Sequence, residues 1–230
     1  MSSLTVVCGA AGALGRAVVA ELAARGAEVV AVDRTVPLPD EARAAWGSAG
    51  VHELAGDLAD EQSVERLWRE VERLGEACGL VNLVGGFQAG SLVESEEETY
   101  SAMVELNLTT TWHSCRAGAP RLARSGGGAI VNVAARPARS GGQGSAAYAV
   151  AKAGVLRLTE VLAVELSPSR VRVNAVLPAV IDTAPNREAM PAKVMERAVP
   201  PAAIAAVIGF LLSDAAWPIS GAGIPVYGWA

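Results

Sequence analysis

A tyrosine and a lysine that stand four residues apart, Tyr148 and Lys152, form the pair in this chain best suited to acid–base chemistry. On a helix, residues four apart share a face, so the phenol and the ammonium would point at one site. The chain has two lysines against seventeen arginines, which suggests that this lysine does work a guanidinium does poorly. A compact ammonium can bind sugar hydroxyls and lower the pKa of a neighbouring phenol, which predicts Tyr148 as a general acid.

A glycine-rich turn near the N-terminus predicts a second site. In CGAAGALG, Gly9, Gly12 and Gly15 lie between a strand-like run and a helical pattern. Glycines there let the backbone turn tightly and approach a pyrophosphate at the helix N-terminus. Asp33 ends the next strand, 18 residues beyond Gly15, where a carboxylate can accept hydrogen bonds from both ribose hydroxyls. The pattern predicts a dinucleotide site and favours NAD(H) over NADP(H).

Two charged residues after these strands each allow two interpretations. Arg34 could hold a 2′-phosphate, which would admit NADP(H), or be a solvated turn residue. Asp57, at the end of a third strand, could bind an adenine amino group or serve as a helix cap or turn residue.

The pattern of hydrophobic residues predicts the elements that position these side chains. Short β-rich runs alternate with helical patterns along the whole chain. The predicted strands cover 4–10, 27–33, 51–57, 79–85, 129–135, 171–178 and 223–228, and the predicted helices cover 13–26, 40–47, 60–75, 96–124, 146–166 and 202–213. This order predicts one α/β domain over 1–230, a Rossmann-type doubly wound parallel sheet of about seven strands with helices on both faces. The proline-rich segment 179–201 is predicted to be a mobile substrate loop.

Composition and charge narrow the function. The 230 residues are 51% hydrophobic and 4% aromatic, which suits buried parallel strands packed against helices. A net charge of −5 argues against nucleic-acid binding, and three widely spaced cysteines indicate reduced thiols without a metal cluster. The N-terminus lacks the basic segment of a signal peptide, and the longest apolar run, 200–213, is too short to span a membrane. The expectation is a cytoplasmic protein with a small-molecule substrate and no metal, nucleic-acid or membrane partner.

The motifs resemble those of the short-chain dehydrogenase/reductase family over essentially the whole chain. They are GAAGALG at 9–15, NLVG at 82–85, YAVAK at 148–152 and LPAVIDT at 177–183. The resemblance implies that Tyr148, Lys152 and Asn107 are catalytic, that Asn107 holds a relay water near the lysine, and that Thr183 contacts the nicotinamide carboxamide. The cofactor-binding positions it implies are Gly9, Gly12, Leu14, Gly15, Asp33, Arg34, Asp57, Leu58, Val84, Gly85, Tyr148, Lys152, Pro178, Val180 and Thr183.

One catalytic position departs from the family. Its serine lies 13 residues before the tyrosine, and counting back from Tyr148 reaches Ala135, with Ala134 beside it. Ser140 and Ser145 lie at other offsets. Losing one preorganised donor to a carbonyl typically costs about 2.7–4 kcal/mol, so an ordinary ketone is expected to be a poor substrate. Either the site does not turn over, or its substrate is electrophilic enough to need no serine.

One branch of the family fits the second explanation. The chain is most similar to dihydropteridine reductase, which reduces quinonoid dihydropterin with NADH and lacks the serine. VGGF at 84–87 and LPAVIDTAPNREAMP at 177–191 parallel that branch. The resemblance places Gly86, Phe87 and Ala135 at the substrate, although Phe87 is equally explained as a core residue. A generic NAD(P)H-dependent carbonyl reductase and a non-catalytic dinucleotide-binding regulator remain as alternatives.

The long helices 96–124 and 146–166 are the predicted contact of a homodimer or homotetramer. The second helix carries Leu156, Val161 and Ala163 on faces that the sheet of one chain would not cover. Members of the family pair through these helices, so the resemblance implies the same contact here.

Overall fold

The computed structural model describes residues 3–46, 50–140 and 142–229, and its strands form one parallel sheet in the order β3-β2-β1-β4-β5-β6-β7. The strands are β1 (Ser3–Cys8), β2 (Glu28–Asp33), β3 (Val51–Ala55), β4 (Glu76–Asn82), β5 (Gly128–Val133), β6 (Val171–Pro178) and β7 (Gly223–Val226). The strand order reverses between β1 and β4, and in sheets of this kind ligands bind in the crevice at the carboxyl ends beside that reversal. This topology confirms the predicted single-domain α/β fold.

The helices connect successive strands and cover both faces of the sheet. They are α1 (Ala13–Ala24), α2 (Asp40–Trp46), α3 (Glu61–Leu74), α4 (Glu97–Val104), α5 (Thr110–Arg124), α6 (Pro137–Ser140), α7 (Ala146–Glu165), α8 (Ala184–Ala189), α9 (Ala192–Met195) and α10 (Pro201–Leu212). Helices α4 and α5 are joined by a π-helical turn over Glu105–Thr109, inside the single helix predicted for 96–124. The helix predicted for 40–47 is observed as α2, and residue 47 lies outside the described residues.

Two apolar layers hold the helices to the sheet. On one face, α3 and α5 pack Trp68 and Leu122 against β1, β4 and β5. On the other face, α1 and α10 pack Val18 and Ile208 against the same strands. Because the central strands are buried on both faces, apolar residues make up most of them and Val is the commonest, as is usual in parallel sheets.

Strand β4 and helix α7 differ from the sequence prediction. β4 covers Glu76–Asn82 and not 79–85, because its parallel pairing with β1 runs from Ser3 beside Glu76 to Cys8 beside Asn82. Within it, Gly79 lies so close to β1 that a Cβ would approach Thr5 Oγ1 to 2.7 Å. Of the residues predicted to lie at an interface on α7, Leu156 and Ala163 pack into the core of the same chain, whereas Val161 is exposed. That part of the prediction was wrong because the segment after α10 covers this side of α7, with Gly221 close to Ala163.

The segment 179–201 is not an irregular loop, because it contains α8 and α9. Ile181 forms a parallel bridge with Val199, so the two ends of the segment meet. Arg187 donates to the carboxylate of Asp182 at 2.7 Å, which fastens α8 to the first part of the segment. The segment therefore forms a wall of secondary structure at the end of the sheet. Its movement on substrate binding stays a prediction.

Three further features concern membrane-spanning helices, metal-binding groups and the cysteine thiols. No helix in the described ranges combines the length and the apolar character needed to cross a membrane. Among those same residues, no group of three His, Cys, Asp or Glu side chains is placed to hold a metal ion. Cys8 and Cys115 are fully buried, and burial raises the pKa of each thiol to about 12.

Candidate active site

The carboxyl ends of the central strands open into a cleft of about 910 Å³. Its walls come from the turn after β1, the ends of β4, β5 and β6, the first half of α7, and the segment 179–201. The predicted site residues that line it are Gly9, Gly12, Leu14, Gly15, Gly85, Gly86, Phe87, Asn107, Ala135, Tyr148, Lys152, Pro178, Val180 and Thr183. The predicted residues outside its lining are Asp33, Arg34, Asp57, Leu58 and Val84.

The turn between β1 and α1 has a shape that only glycine allows. Gly9 has a φ of 87°, in the left-handed region that other residues rarely adopt. A Cβ on Gly15 would lie 2.1 Å from the carbonyl oxygen of Gly9, so α1 could not begin this close to the strand. Gly12 is the N-cap and has no side chain to bind the first-turn amides, which therefore suit an anion. These features fit the pyrophosphate of a dinucleotide.

Asp33 at the end of β2 is fastened to this turn. Its carboxylate accepts hydrogen bonds from the backbone N–H of Ala11 at 3.0 Å and from that of Arg34 at 2.9 Å. The partly exposed carboxylate keeps lone pairs for ribose hydroxyls, which agrees with the predicted role. Arg34 is exposed and, within the described residues, makes no ion pair, so both interpretations of Arg34 remain.

The remaining predicted adenosine contacts have structural roles of their own. The exposed carboxylate of Asp57 accepts from the backbone N–H of Ala59 at 3.0 Å, which is the turn role considered for it. Leu58 is a buried core side chain, so it would meet a cofactor through its backbone. Val84 packs beside Gly9, where a Cβ on that glycine would approach Val84 Cγ2 to 3.1 Å. Val84 therefore supports the turn by packing against Gly9.

Tyr148 and Lys152 lie on one face of α7 and both line the cleft. The ammonium donates to the carbonyl oxygen of Val133 at 2.8 Å and lies 6.0 Å from the centre of the phenol ring. Lys152 is 4% exposed, and its burial lowers the pKa of the ammonium to about 8. Burial also raises the pKa of Tyr148 to about 12, so the predicted lowering of that pKa is not observed. The reason is that desolvation of the phenol outweighs the attraction of an ammonium held on a backbone carbonyl.

Asn107 lies in the π-helical turn and is fully buried. Its amide donates to the carbonyl oxygens of Gly86 and Met103, each at 3.0 Å, and its Oδ1 accepts from the N–H of Gly86 at 3.1 Å. A Cβ on Gly85 would lie 2.6 Å from Asn107 Oδ1 and 3.0 Å from Lys152 Nζ. Asn107 therefore fixes the chain after β4 against the lysine, and the predicted relay water stays a prediction.

The cleft lining has no side-chain hydroxyl at the position of the family's serine. Ala135 is 5% exposed and lines the cleft, and its methyl side chain has no hydrogen-bond donor. Ser140 donates to the carbonyl of Arg136 at 3.1 Å and Ser145 to that of Gly142 at 3.0 Å, and neither serine lines the cleft. Among the lining residues that the structure describes, Tyr148 and Thr183 are the only ones with a hydroxyl.

Phe87 and Thr183 also line the cleft. Phe87 is 57% exposed, so its interpretation as a core residue was wrong, and its ring stands edge-on to Tyr148 with centroids 5.2 Å apart. The hydroxyl oxygen of Thr183 accepts from the N–H of Asn186 at 3.4 Å and caps α8. Its hydroxyl hydrogen remains available to a carboxamide oxygen, so the predicted contact is compatible with the cap.

Sequence reasoning missed three cations that line the same cleft, Arg136, Lys193 and Arg197. One signal was present, because Lys193 is the second of only two lysines in the chain. The arginines carried no comparable signal, since seventeen are spread along the sequence and only the fold selects two of them for the cleft.

Comparison with known sequences gives matches along the whole chain. The family model described as Enoyl-(Acyl carrier protein) reductase matches residues 9–228. A (3R)-3-hydroxyacyl-CoA dehydrogenase of Mus musculus is 32% identical, over 99% of this chain and 95% of the relative. A D-threitol dehydrogenase of Mycolicibacterium smegmatis is 33% identical, over 98% of this chain and 91% of the relative.

Solved structures agree with this match. A short-chain type dehydrogenase/reductase from Mycobacterium ulcerans superposes with a TM-score of 0.89 at 28% identity, covering 99% of this chain and 90% of the other. An NAD⁺-bound xylitol dehydrogenase superposes with a TM-score of 0.91 over 98% of both chains, and at 23% identity this likeness shows the fold alone. With the glycine turn and the Tyr–Lys pair meeting in one cleft, these matches show that the chain belongs to the short-chain dehydrogenase/reductase family of nicotinamide-dependent oxidoreductases.

Proposed function

We propose that the protein is an NADH-dependent reductase of a conjugated quinonoid or imine substrate, such as a quinonoid dihydropterin. The observation that carries the proposal is the composition of the cleft lining, which holds Tyr148 and, at the position of the family's serine, Ala135 with its methyl side chain. The reacting atom of the substrate can receive one proton from Tyr148 and no hydrogen bond from residue 135. Substrates that need a second donor on a carbonyl oxygen are therefore disfavoured.

The protonation state of Tyr148 suits its role as a proton donor. With a pKa raised to about 12 by burial, the phenol is protonated throughout the neutral range. It can therefore donate a proton to a substrate nitrogen or oxygen during reduction. A quinonoid ring regains conjugation on reduction, so it needs less help from hydrogen-bond donors than a ketone does.

Lys152 stabilises the product of that proton transfer. Once the phenol has donated, a phenolate remains whose ring centre lies 6.0 Å from a buried ammonium. The hydrogen bond to Val133 holds the ammonium in place before the reaction begins. Preorganised charge of this kind contributes most where water is excluded.

The cofactor end of the cleft fits NADH. When bound, the cofactor supplies the hydride. Asp33, held by Ala11 and Arg34, would accept hydrogen bonds from both ribose hydroxyls and repel a 2′-phosphate. The exposed side chain of Arg34 supports some use of NADPH, so we propose a preference and not an exclusion.

We further propose that the protein works in the cytoplasm as a homodimer or homotetramer. Trp112 on α5 and Val150 and Val161 on α7 are large apolar side chains exposed on the two helices expected at the contact. Exposed apolar surface of this kind is typical of interfaces between protomers. Sedimentation of the purified protein would measure the assembly directly.

Reduction of a ketone is the competing function. The relatives named above are dehydrogenases of hydroxyl compounds, and their names do not include a dihydropteridine reductase. A ketone could be reduced at this site if a hydroxyl on the substrate or a water replaced the missing serine. A third alternative, a dinucleotide-binding regulator, gives no reason for both Tyr148 and Lys152 to line the cleft.

The decisive experiment is a substrate panel followed by the absorbance of NADH. Freshly generated quinonoid 6-methyl-dihydropterin, a small set of ketones and an NADPH arm would be measured side by side. Fast oxidation of NADH with the quinonoid substrate and slow oxidation with ketones would support the proposal. Turnover of ketones alone would assign the competing function, and tight NADH binding without any turnover would favour a regulator.

A further inference from the structure

Every charged side chain that lines the cleft is a cation. The described lining holds Arg136, Lys152, Lys193 and Arg197 and not one Asp or Glu, in a chain with 24 acidic and 19 basic residues. Lys152 is buried and belongs to the Tyr–Lys pair. The other three are exposed at the cleft, and within the described residues none of them forms an ion pair. The cleft is therefore an electropositive opening in a protein of net negative charge.

Arg136 is held in place at the β6–β7 side of this opening. It follows Ala135, and its backbone N–H donates to the carbonyl of Pro178 at the end of β6 at 2.9 Å. Its guanidinium lies 5.3 Å from the ring centre of Tyr227, just after β7. Stacking on an aromatic ring orients a guanidinium and leaves its N–H groups available to an anion.

Arg197 lies on the same side of the cleft. Its carbonyl oxygen is 3.7 Å from where a Cβ on Gly228 would stand, so its backbone runs beside the residue that follows Tyr227. Arg136 and Arg197 therefore approach the cleft from two segments that meet at the chain after β7. Lys193 lies on α9, and Arg197 follows four residues later, just after the end of that helix.

We infer that Arg136 and Arg197 bind an anionic group, a carboxylate or phosphate, carried by the substrate that Tyr148 protonates. This inference rests on the proposed function for the reaction itself and adds the charge of the substrate. Ala135 and Arg136 are consecutive, so the arginine stands next to the reacting end of the cleft. An anion held there would orient a flat substrate against Tyr148 and Phe87.

The pyrophosphate of the cofactor is the other anion that these cations could serve. Its place is the glycine turn after β1, and a strand spacing of about 4.8 Å puts β7 about 19 Å from β1. Arg136 stacks beyond β6 on Tyr227, on the far side of the cleft from that turn. This separation favours the substrate as the source of the anion.

The test compares probes that differ in one carboxylate. The NAD⁺ complex would be titrated calorimetrically at pH 7 with pterin-6-carboxylate and with pterin, neither of which is reduced. A second pair, 4-oxopentanoate and pentan-2-one, would be compared by kcat/KM with NADH. We expect the anionic member of a pair to be favoured at least tenfold, and the preference to fall as salt concentration rises.

Variants assign the preference to the two arginines. Arg136→Gln and Arg197→Gln should each remove most of it, and Arg136→Lys should recover part. Arg139→Gln is the matched control, because Arg139 lies three residues after Arg136, on α6, but donates to the carbonyl of Gly223 and does not line the cleft. In every variant the Kd of NAD⁺ should change less than twofold.

The outcomes separate this inference from the proposed function. Equal affinity or rate for the charged and uncharged members of both pairs would overturn the anion site, even if quinonoid dihydropterin is reduced. A larger loss of NAD⁺ binding than of probe binding in Arg136→Gln would also overturn it, in favour of the pyrophosphate. Preference for 4-oxopentanoate that depends on Arg136, without pterin binding, would support the anion site and reject the quinonoid substrate.

Discussion

The cofactor end and the substrate end of the cleft are formed by different kinds of chemical group. At the β1–β2 end, backbone groups do the work: the turn at Gly9 and Gly15, the first-turn amides of α1, and a carboxylate held by two backbone N–H groups. At the substrate end, side chains form the site, since Tyr148, Arg136 and Phe87 line the cleft from three separate segments. A site made of backbone tolerates few changes of residue, whereas a site made of side chains can change its substrate with one substitution.

This difference explains why one end was more predictable. The cofactor end follows from residues within the first 33 positions, whose spacing alone fixes a tight turn and a nearby carboxylate. The substrate end combines residues from 87 to 197 and beyond, and their meeting depends on the packing of the sheet. Five experiments with six test substitutions examine the two ends and how independent they are.

The largest effect is expected from Tyr148→Phe at the substrate end. Loss of the proton donor should lower kcat about 1,000-fold, because a positioned general acid contributes 10²–10⁴ to the rate. The Kd of NADH, measured by fluorescence titration, should remain within about twofold if the ends are independent. Tyr100→Phe, on the exposed face of α4, is the control and should behave as the unmodified protein. Unchanged turnover in Tyr148→Phe would remove the tyrosine from the mechanism.

Two glycine substitutions at the cofactor end separate an effect on stability from an effect on cofactor binding. Gly15→Ala places a Cβ 2.1 Å from the Gly9 carbonyl oxygen and should lower the free energy of unfolding by about 3 kcal/mol. Gly12→Ala meets that oxygen at 3.4 Å, an ordinary contact, and should cost less than about 1 kcal/mol while weakening NADH at least about tenfold. Urea denaturation and NADH titration measure the two effects. Equal stability of the two variants would contradict the close approach.

The pH dependence of stability tests the burial of Lys152. Its pKa is lowered to about 8 in the fold, so the unfolded chain binds the extra proton between about pH 8 and pH 10.5. Stability should therefore rise with pH across that window, by up to about 3 kcal/mol relative to Lys152→Met, which lacks the titrating group. Lys193→Met is the matched control, since Lys193 is exposed and should run parallel to the unmodified protein. A constant difference between Lys152→Met and the unmodified protein would mean that the ammonium is not desolvated.

Restoring the missing hydroxyl tests the account of Ala135. Ala135→Ser should raise kcat/KM for a ketone about tenfold, less than the 10²–10³ that a fully preorganised donor is worth. Turnover of a quinonoid substrate should change less than about twofold, because that substrate does not depend on a second donor. No gain on ketones would show that the serine was not what limits them. Ala134→Ser, one residue earlier and almost fully buried, serves as the control.

The smallest effect is expected at Asp33. Asp33→Asn keeps an oxygen that can accept from Ala11 or Arg34 but removes the negative charge. The ratio of kcat/KM for NADPH to that for NADH should rise about fivefold, since repulsion of the 2′-phosphate disappears while Arg34 stays. Asp57→Asn provides the comparison and should leave the ratio unchanged. An unchanged ratio in Asp33→Asn would remove the charge from the choice of cofactor.

Particular residues show how far sequence reasoning reached. The parallel sheet, the glycine turn and the pairing of Tyr148 with Lys152 were predictable, because each depends on local spacing or on a regular alternation of elements. The pKa of Tyr148 was predicted in the wrong direction, because charge is visible in a sequence and burial is not. Phe87 could not be assigned either, since an aromatic residue after a strand has the same local pattern whether it is core or cleft wall.

By itself, the sequence determined where the chain can turn, which faces of its helices are apolar, and which residue types are available for acid–base chemistry. The positions of glycines, the hydrophobic periodicity and the absence of a serine at position 135 are local properties. They can be read from residue types and spacing without knowing the fold. Only the tertiary structure decided that Lys152 donates to the carbonyl oxygen of Val133 and that Asn107 donates to that of Gly86. It also decided that Arg136 and Arg197 line one cleft. These facts depend on burial and on contacts between residues far apart in the chain, which exist only when the sheet and both helical layers are assembled.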